Sequence, residues 1–396
     1  MNDEFSVAAC WQGRFDETAL REGAAKLLAR LDGKPVSLGL VFMSPDFFPY
    51  AQQVLEILRV HAHIPLLAGC SSTGLICGQQ ELEGVSGIAL ALYSLPDAKL
   101  KGIRFTQSQV DEADSAAYWH QQTGVGPADT NGWLTFIDPF HFLDLENWLR
   151  SWNGAYATLP VYGGLASGNL QEQLTQVYLD GEVFEDGGVA ISVGGDVKLT
   201  GVISQGCTPI GDTWTLTRVE HNLIQQIANR PAYTVLAETF QKLPLAEQQK
   251  ARGNLLIGLV VNEYLENYHR GDFLVRNLIG GDPNSGILAV GALPRPGQTI
   301  QFQRRDAVAA SEDLREMLDR EKSRLGDAPI YGGCLCCCNG RGKNLFGRAN
   351  HDAEMVQHEL HPFGMAGFFC NGEIGPVSGK NYLHSYTASL ALFVKK

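Results

Sequence analysis

Residues 133–165 read WLTFIDPFHFLDLENWLRSWNGAYATLPVYGGL, and this stretch decides the fold because its order of features occurs twice. The apolar run 133–137 stops at Asp138-Pro139-Phe140. Phe142, Leu145, Leu149 and Trp152 then recur at helical spacing, and the run 160–165 closes with Gly163-Gly164-Leu165. Shifted by 94 or 95 residues, 38–43 is the apolar run and Ser44-Pro45-Asp46 the break. Phe48, Ala51, Leu55 and Leu58 form the helix face there, and 65–70 is the second run. Each copy continues into a glycine-led apolar strand, 87–92 and 188–193. Agreement at this many ordered positions marks an internal duplication of a β-α-β unit, spanning 38–92 and 133–193.

A third echo lies at Pro329-Ile-Tyr-Gly-Gly-Cys334, after a helix expected over 311–325 with Ser311 as its N-cap. A further helix is expected over 352–360, feeding a strand at 365–370, with a last strand at 383–393. The resulting fold class is α/β, with duplicated β-α-β units and mixed sheets in two halves. The expected division is a β-α segment at 1–34, an N-terminal half at 35–228 and a C-terminal half at 229–396. The boundary is set at Asn229-Arg230-Pro231, read as following a helical segment, because proline disfavours helix at the residue before it.

A formal charge of −12 excludes a surface built to neutralise nucleic-acid phosphates. No apolar run is long enough to span a bilayer, and the N-terminus lacks a basic segment followed by an apolar one. Of nine cysteines, four fall within 334–338, where strand neighbours cannot form an ordinary disulfide framework. The expectation is therefore a reducing cytoplasm. In a strand Cys334, Cys336 and Cys338 share one face and Cys337 takes the other. That set could pack as small hydrophobes, bind a soft metal, or oxidise.

Four glycine-rich segments follow apolar strands: Gly69-Cys-Ser-Ser-Thr-Gly74, Gly163-Gly-Leu-Ala-Ser-Gly168, Cys338-Asn-Gly-Arg-Gly342 and Asn371-Gly-Glu-Ile-Gly375. The C-terminal ends of strands are where α/β proteins commonly bind ligands. Arg341 and Glu373 are the charged residues within these turns. They could hold the carboxylate and ammonium of a zwitterion, or pair with each other. No Walker sequence, dinucleotide fingerprint or His-Glu-x-x-His is present, and the first segment lacks the spacing of a hydrolase nucleophile elbow.

Taken together, these motifs resemble the FIST family of sensory domains. The N-terminal half carries the resemblance in Ala68-Gly-Cys-Ser-Ser-Thr-Gly74 and Gly163-Gly-Leu-Ala-Ser-Gly-Asn169. The C-terminal half carries it in Cys338-Asn-Gly-Arg-Gly342, Leu345-Phe-Gly347, Gly367-Phe-Phe-Cys-Asn-Gly-Glu-Ile-Gly-Pro376, Asn381, His384 and Thr387. The resemblance implies a small-ligand sensor in signal transduction, with amino acids or their derivatives as the ligand class. One branch of stand-alone members binds haem, senses nitric oxide and signals through a partner histidine kinase. Here haem would be non-covalent, with His351 and His384 as the ligands to consider. The expected ligand-binding set is Cys338, Asn339, Arg341, Asn371, Glu373, Gly69, Cys70, Ser71, Gly163, Gly164 and His384. No catalytic residue is assigned. The readings carried forward are a metabolite sensor, a haem-based gas sensor, and, from a different class, a thiol-dependent enzyme. The expected partners are a small molecule, a signalling protein such as a histidine kinase, and a second copy in a homodimer, with no nucleic acid and no membrane.

Overall fold

The computed structural model describes residues 5–142 and 144–396. The chain forms two compact units. The first comprises 1–203, 315–383 and 387–396, and the second 204–314 with 384–386. The sequence boundary at 228/229 falls inside the second unit, and the helical segment expected before Asn229 is instead the strand Leu223–Ile227.

The first unit contains three repeats of one pattern, each a strand, a helix, a strand, a helix, a strand, a hairpin and a final strand. In the first repeat these are Ser6–Gln12, Glu17–Ala29, Leu38–Met43, Ala51–His61, Leu67–Ser71, the hairpin of Gly74–Cys77 with Gln80–Glu83, and Gly87–Tyr93. The second repeat opens with Ala98–Phe105, has two short helices, Gln107–Glu112 and Ala116–Thr123, at the first helical place, and ends with Gly188–Gly195. The third opens with Val197–Ser204 and resumes at the helix Ala307–Leu325 after the chain has formed most of the second unit. It ends with Ala388–Lys395.

Each repeat supplies four adjacent strands of a six-stranded sheet and gives its hairpin to another. The hairpin at 74–83 joins the third repeat's sheet beside Met365–Cys370. The hairpin of the second repeat, Val177–Leu179 with Glu182–Phe184, joins the first sheet beside Leu67–Ser71. The third repeat's Glu373–Val377 and Lys380–His384 join the second sheet beside Val161–Leu165. The two strands flanking each crossover helix are parallel, as in Leu38–Met43 with Leu67–Ser71 and Trp133–Ile137 with Val161–Leu165. Other pairings among the described strands of these sheets are antiparallel, which makes them mixed sheets.

The sequence echo at Pro329–Cys334 has a different place from the one its letters suggest. Ile330–Cys338 is the second strand of its repeat, pairing in parallel with Met365–Cys370. It therefore corresponds to Trp133–Ile137, not to the segment Pro160–Leu165 that it resembles. Both strands are buried on two faces, so similar apolar strings suit either position. The true counterparts are Gly69, Gly163 and Gly367. An added Cβ would come within 1.7 Å of the Val41 carbonyl oxygen, 1.9 Å of Thr135 and 2.0 Å of Leu335, respectively. Glycine at this register lets the two parallel strands approach.

The inner faces of the three sheets share one core. Phe42, Phe136 and Phe368, one from each sheet, meet with ring centroids 4.8–5.7 Å apart. Cys70, Cys77, Cys334, Cys336 and Cys370 belong to the same buried cluster. Burial pushes the Cys70, Cys336 and Cys370 thiols well above their usual range. These cysteines pack as small hydrophobes. The helix expected from Ser311 begins at Ala307, capped by Asp306, whose Oδ1 accepts from the amides of Val308 and Ala309. Ser311 bonds back to the Ala307 carbonyl inside the helix.

The second unit is a seven-stranded sheet running Cys207–Glu220, Thr299–Arg305, Leu255–Val260, Phe273–Asp282, Ile287–Val290, Leu223–Ile227 and Arg230–Pro231. Helices Ala232–Gln241 and Leu245–Ala251 belong to it, and Ile210, Leu216, Ile257 and Phe302 sit in its own core. Among the described residues no helix is long and apolar enough to cross a membrane.

Candidate ligand-binding cleft

The third strand of each repeat ends in a turn, and the three turns, near 71–74, 165–168 and 370–373, converge. Ser72 Oγ and Ser167 Oγ both donate to the Phe369 carbonyl, at 2.8 and 2.6 Å. The Thr73 amide donates to Ser167 Oγ at 2.9 Å, and Ser71 Oγ donates to the Ser167 carbonyl at 3.0 Å. Asn371 closes the third side, its Nδ2 donating to the Ala166 carbonyl at 3.1 Å. Ser71, Ser72, Ser167 and Asn371, contributed by three repeats, thereby hold the backbones of neighbouring turns.

Outside this knot lies a cleft of about 280 Å³, lined among others by Thr73, Glu83, Ser167, Asn339, Asn344 and Asn371. Asn339 Nδ2 donates to Asn371 Oδ1 at 2.8 Å, and Thr73 Oγ1 donates to Asn339 Oδ1 at 3.2 Å. Glu83, at the open end of the exchanged hairpin opposite Gly74, accepts the Lys343 amide at 2.9 Å. A larger groove of about 550 Å³ is walled by Leu28, Pro35, Val36, Ile64 and Pro65. Lys34 and His63 are its polar side chains, whereas the smaller cleft gathers polar side chains from all three repeats and is the better-built site.

Behind the cleft is a buried charged cluster. Arg341 is fully buried and grips Asp352 with two nitrogens, at 2.6 and 2.9 Å. Burial alone would raise the Asp352 carboxyl, but the Arg341 charge and its hydrogen bonds hold it well below the usual carboxylate range. Asp352 opens the helix His351–Glu359, and Glu81 Oε1 accepts its amide and that of Ala353 at 2.8 and 2.9 Å. Burial, then the Asp352 charge, lifts Glu81 to about 7. Glu373 accepts from Cys370 Sγ at 3.1 Å and the Thr387 amide at 3.0 Å. Its burial is complete and raises it to about 8, although these bonds and Arg341 pull the other way. At neutral pH Glu373 is therefore mostly a neutral acid and Asp352 a carboxylate.

The expected site residues thus divide by location. Asn339 and Asn371 line the cleft, and Ser71 belongs to the knot beneath it. Cys338 is half-buried beside Glu373. Arg341 and Glu373 lie behind the cleft wall, and Arg341 is engaged with Asp352 instead of facing a ligand carboxylate. Cys70 sits in the core, and Gly69, Gly163 and Gly164 are strand residues. His384 is buried at the end of its strand and groups with the second unit. The sequence reading missed Asp352, Glu81, Glu83, Thr73, Ser167 and Asn344. Thr73 and Ser167 stood inside the quoted turns, whereas Glu81 and Glu83 carried only the alternation of an ordinary hairpin.

Of the two histidines considered for haem, His351 has Nδ1 2.9 Å from Asp352 Oδ1 and its ring stacked on Phe346 with centroids 3.5 Å apart, and His384 is buried. The cleft itself is small and walled by amides, hydroxyls and a carboxylate, where a porphyrin needs a wide apolar slot. Among the described residues no group of three or more His, Cys, Asp or Glu side chains is placed to hold a metal ion.

An α/β scaffold of repeats whose turns meet at one polar cleft belongs to the class of small-ligand receptors. The comparison with known families is specific. The chain belongs to the FIST family, matching the FIST N domain over residues 37–230 and the FIST C domain over 232–376. FIST domains are sensor domains of signal transduction that bind small ligands. Among its relatives is an uncharacterized protein of Mycobacterium tuberculosis, 34% identical over 376 residues, covering 95% of this chain and 96% of its own. Another, from Mycobacterium bovis, is 33% identical over 373 residues and covers 94% of both chains.

Proposed function

We propose that this chain senses a small amino-acid-like metabolite in the cleft at the three turns and passes its occupancy to a partner signalling protein such as a histidine kinase. The observation that carries the reading is the convergence of three repeats on one cleft with a carboxylate at one wall and amides at another. Glu83 would receive the ammonium group, and the side-chain amides of Asn339, Asn344 and Asn371 would donate to the carboxylate. The volume sits near the lower end of small-molecule sites, about 300–1,000 Å³, which suits a metabolite of amino-acid size.

A signal requires that the ligand prefer one of two conformations. The exchanged hairpin supplies a route, because it carries Glu83 at the cleft and Glu81 at the amides of Asp352 and Ala353. The thiol-enzyme reading is less well supported. Burial keeps Cys70, Cys336, Cys337 and Cys370 protonated, and the neutral thiol is the poor nucleophile. A reducing cytoplasm suits nine cysteines that are all free.

Isothermal titration against a panel of amino acids and amines tests the reading. We expect at least one saturable ligand whose affinity falls about tenfold or more, about 1.4 kcal/mol, in Glu83→Gln and in Asn371→Ala. A ligand that binds both variants and the parent alike would place the site elsewhere.

A further inference from the structure

Cys10 and Cys77 face each other across two sheets. Cys10 lies in the edge strand Ser6–Gln12 and packs against the inner core, whereas Trp11 beside it packs into the outer helical layer. Cys77 ends the exchanged strand Gly74–Cys77, opposite Gln80 in the hairpin. Cys10 Sγ lies 3.6 Å from Gln80 Oε1, and Cys77 is the residue paired with Gln80, so the two thiols are neighbours close enough to perturb each other's ionisation. Both are free thiols, but their surroundings differ. Cys10 is partly exposed and borders a surface cleft with Gly13, Phe15 and Asp16, while Cys77 is buried.

From this pairing we infer that Cys10 and Cys77 form a reversible regulatory disulfide, with Cys10 as the nucleophile toward a peroxide and Cys77 as the resolving thiol. Their proximity supports the division of roles. The hydrogen bond from Cys77 lowers Cys10 to about 7 against the opposing effect of burial, while Cys77 is raised and keeps its proton. A thiolate that is open to solvent and beside a second thiol is the usual arrangement of a redox-sensing pair. The core thiols Cys70, Cys334, Cys336 and Cys370, by contrast, have no such opening.

The chemistry balances with hydrogen peroxide as the oxidant. The Cys10 thiolate attacks one peroxide oxygen, the O–O bond breaks, and hydroxide leaves, giving a sulfenic acid at Cys10. The Cys77 proton passes to that hydroxide as the first water; its sulfur then displaces the Cys10 oxygen as hydroxide while the S–S bond forms, and this second hydroxide takes up the proton that Cys10 released on ionising. Two thiols and one peroxide become one disulfide and two waters, and a dithiol reductant reverses the step.

The bond would tie the N-terminal strand to the hairpin that carries Glu81 and Glu83. Oxidation would thereby act on the same element that lines the cleft, though the disulfide itself does not depend on what the cleft binds. The test uses the full chain. After peroxide treatment, denaturation and alkylation, we expect the nine reactive thiols of the reduced protein to fall to seven. Peptide mapping should recover Cys10 joined to Cys77, and dithiothreitol should restore all nine. Cys10→Ser and Cys77→Ser should each abolish the cross-linked peptide. Retention of nine thiols, or a loss confined to other cysteines, overturns the inference. Because circular dichroism reports whether each serine variant is folded, and the parent protein's cross-link map stands without them, a misfolded variant leaves the outcome decided.

Discussion

The turns at 71–74 and 370–373 hold the same place in their repeats, yet one is made of hydroxyls and the other carries a buried carboxyl group. In the first repeat Ser71 and Ser72 satisfy carbonyls of the neighbouring turns, and Ser167 does the same from the second. In the third the corresponding stretch is Cys370-Asn371-Gly372-Glu373, and Glu373 is wholly buried. The difference teaches that the repeats have divided labour. Two turns lock the knot with neutral hydrogen bonds, and the third couples it to the charged cluster around Asp352.

The largest effect should come from removing one half of that cluster's ion pair. Arg341→Ala leaves Asp352 buried without its main counter-charge, and should cost about 3–5 kcal/mol in urea unfolding. A cost below 1 kcal/mol would mean that the charged side of the comparison is ornamental. Glu373→Gln should come next, visible as a changed pH dependence. In the folded chain Glu373 holds its proton up to about 8, against an ordinary value of 4.5 in the unfolded one. Its contribution to stability is thus present below 4.5 and is lost as pH rises towards about 8, flattening above that. Glu81, lifted to about 7, acts with the same sign. Asp352 acts with the opposite sign, its contribution being lost on acidification. Urea midpoints measured from about pH 5 to 8 should fall less steeply in Glu373→Gln than in the parent; parallel curves would remove Glu373 from the account.

The hydroxyl side should respond less. Ser167→Ala removes a donor to Phe369 and an acceptor for Thr73, at a cost of about 1–3 kcal/mol with little pH dependence. Ser72→Ala should cost a similar or smaller amount. If Ser167→Ala shifted the pH profile as Glu373→Gln does, the two turns would not be doing different work. The smallest stability effect is expected at the cleft surface. Glu83→Gln should stay within about 1 kcal/mol of the parent while changing ligand affinity, since its carboxylate faces the cleft.

Several features of this protein were legible before any coordinates. The spacing of Trp133, Leu145, Leu149, Trp152 and Gly163 against Leu38, Leu55, Leu58 and Gly69 revealed a repeated β-α-β unit, because burial periodicity is local. The ordered glycine turns carried the family. The alternation of Cys334, Cys336 and Cys337 was correct because it follows from strand geometry alone. The segment at 223–227 was misread as helix. Its apolar Leu223, Ile224 and Ile227 fit a helix face as readily as a short strand.

Other matters belonged to tertiary structure. Arg341 and Glu373 stand in neighbouring turns and suggested each other as partners, yet the guanidinium takes Asp352. Glu81 and Glu83 looked like an ordinary solvent-facing hairpin, since nothing near them in the chain tells which sheet will accept their strand. The pairing of Leu75, Ile76 and Cys77 with residues 366–368 is between segments almost 300 positions apart. The amino-acid sequence determined the repeat, the strand faces and the turns, all set by interactions among near neighbours. The exchange of hairpins, the choice of Asp352 over Glu373 and the convergence of Thr73, Ser167 and Asn371 were decided only by long-range packing, which fixes the burial of each carboxyl and hence its charge.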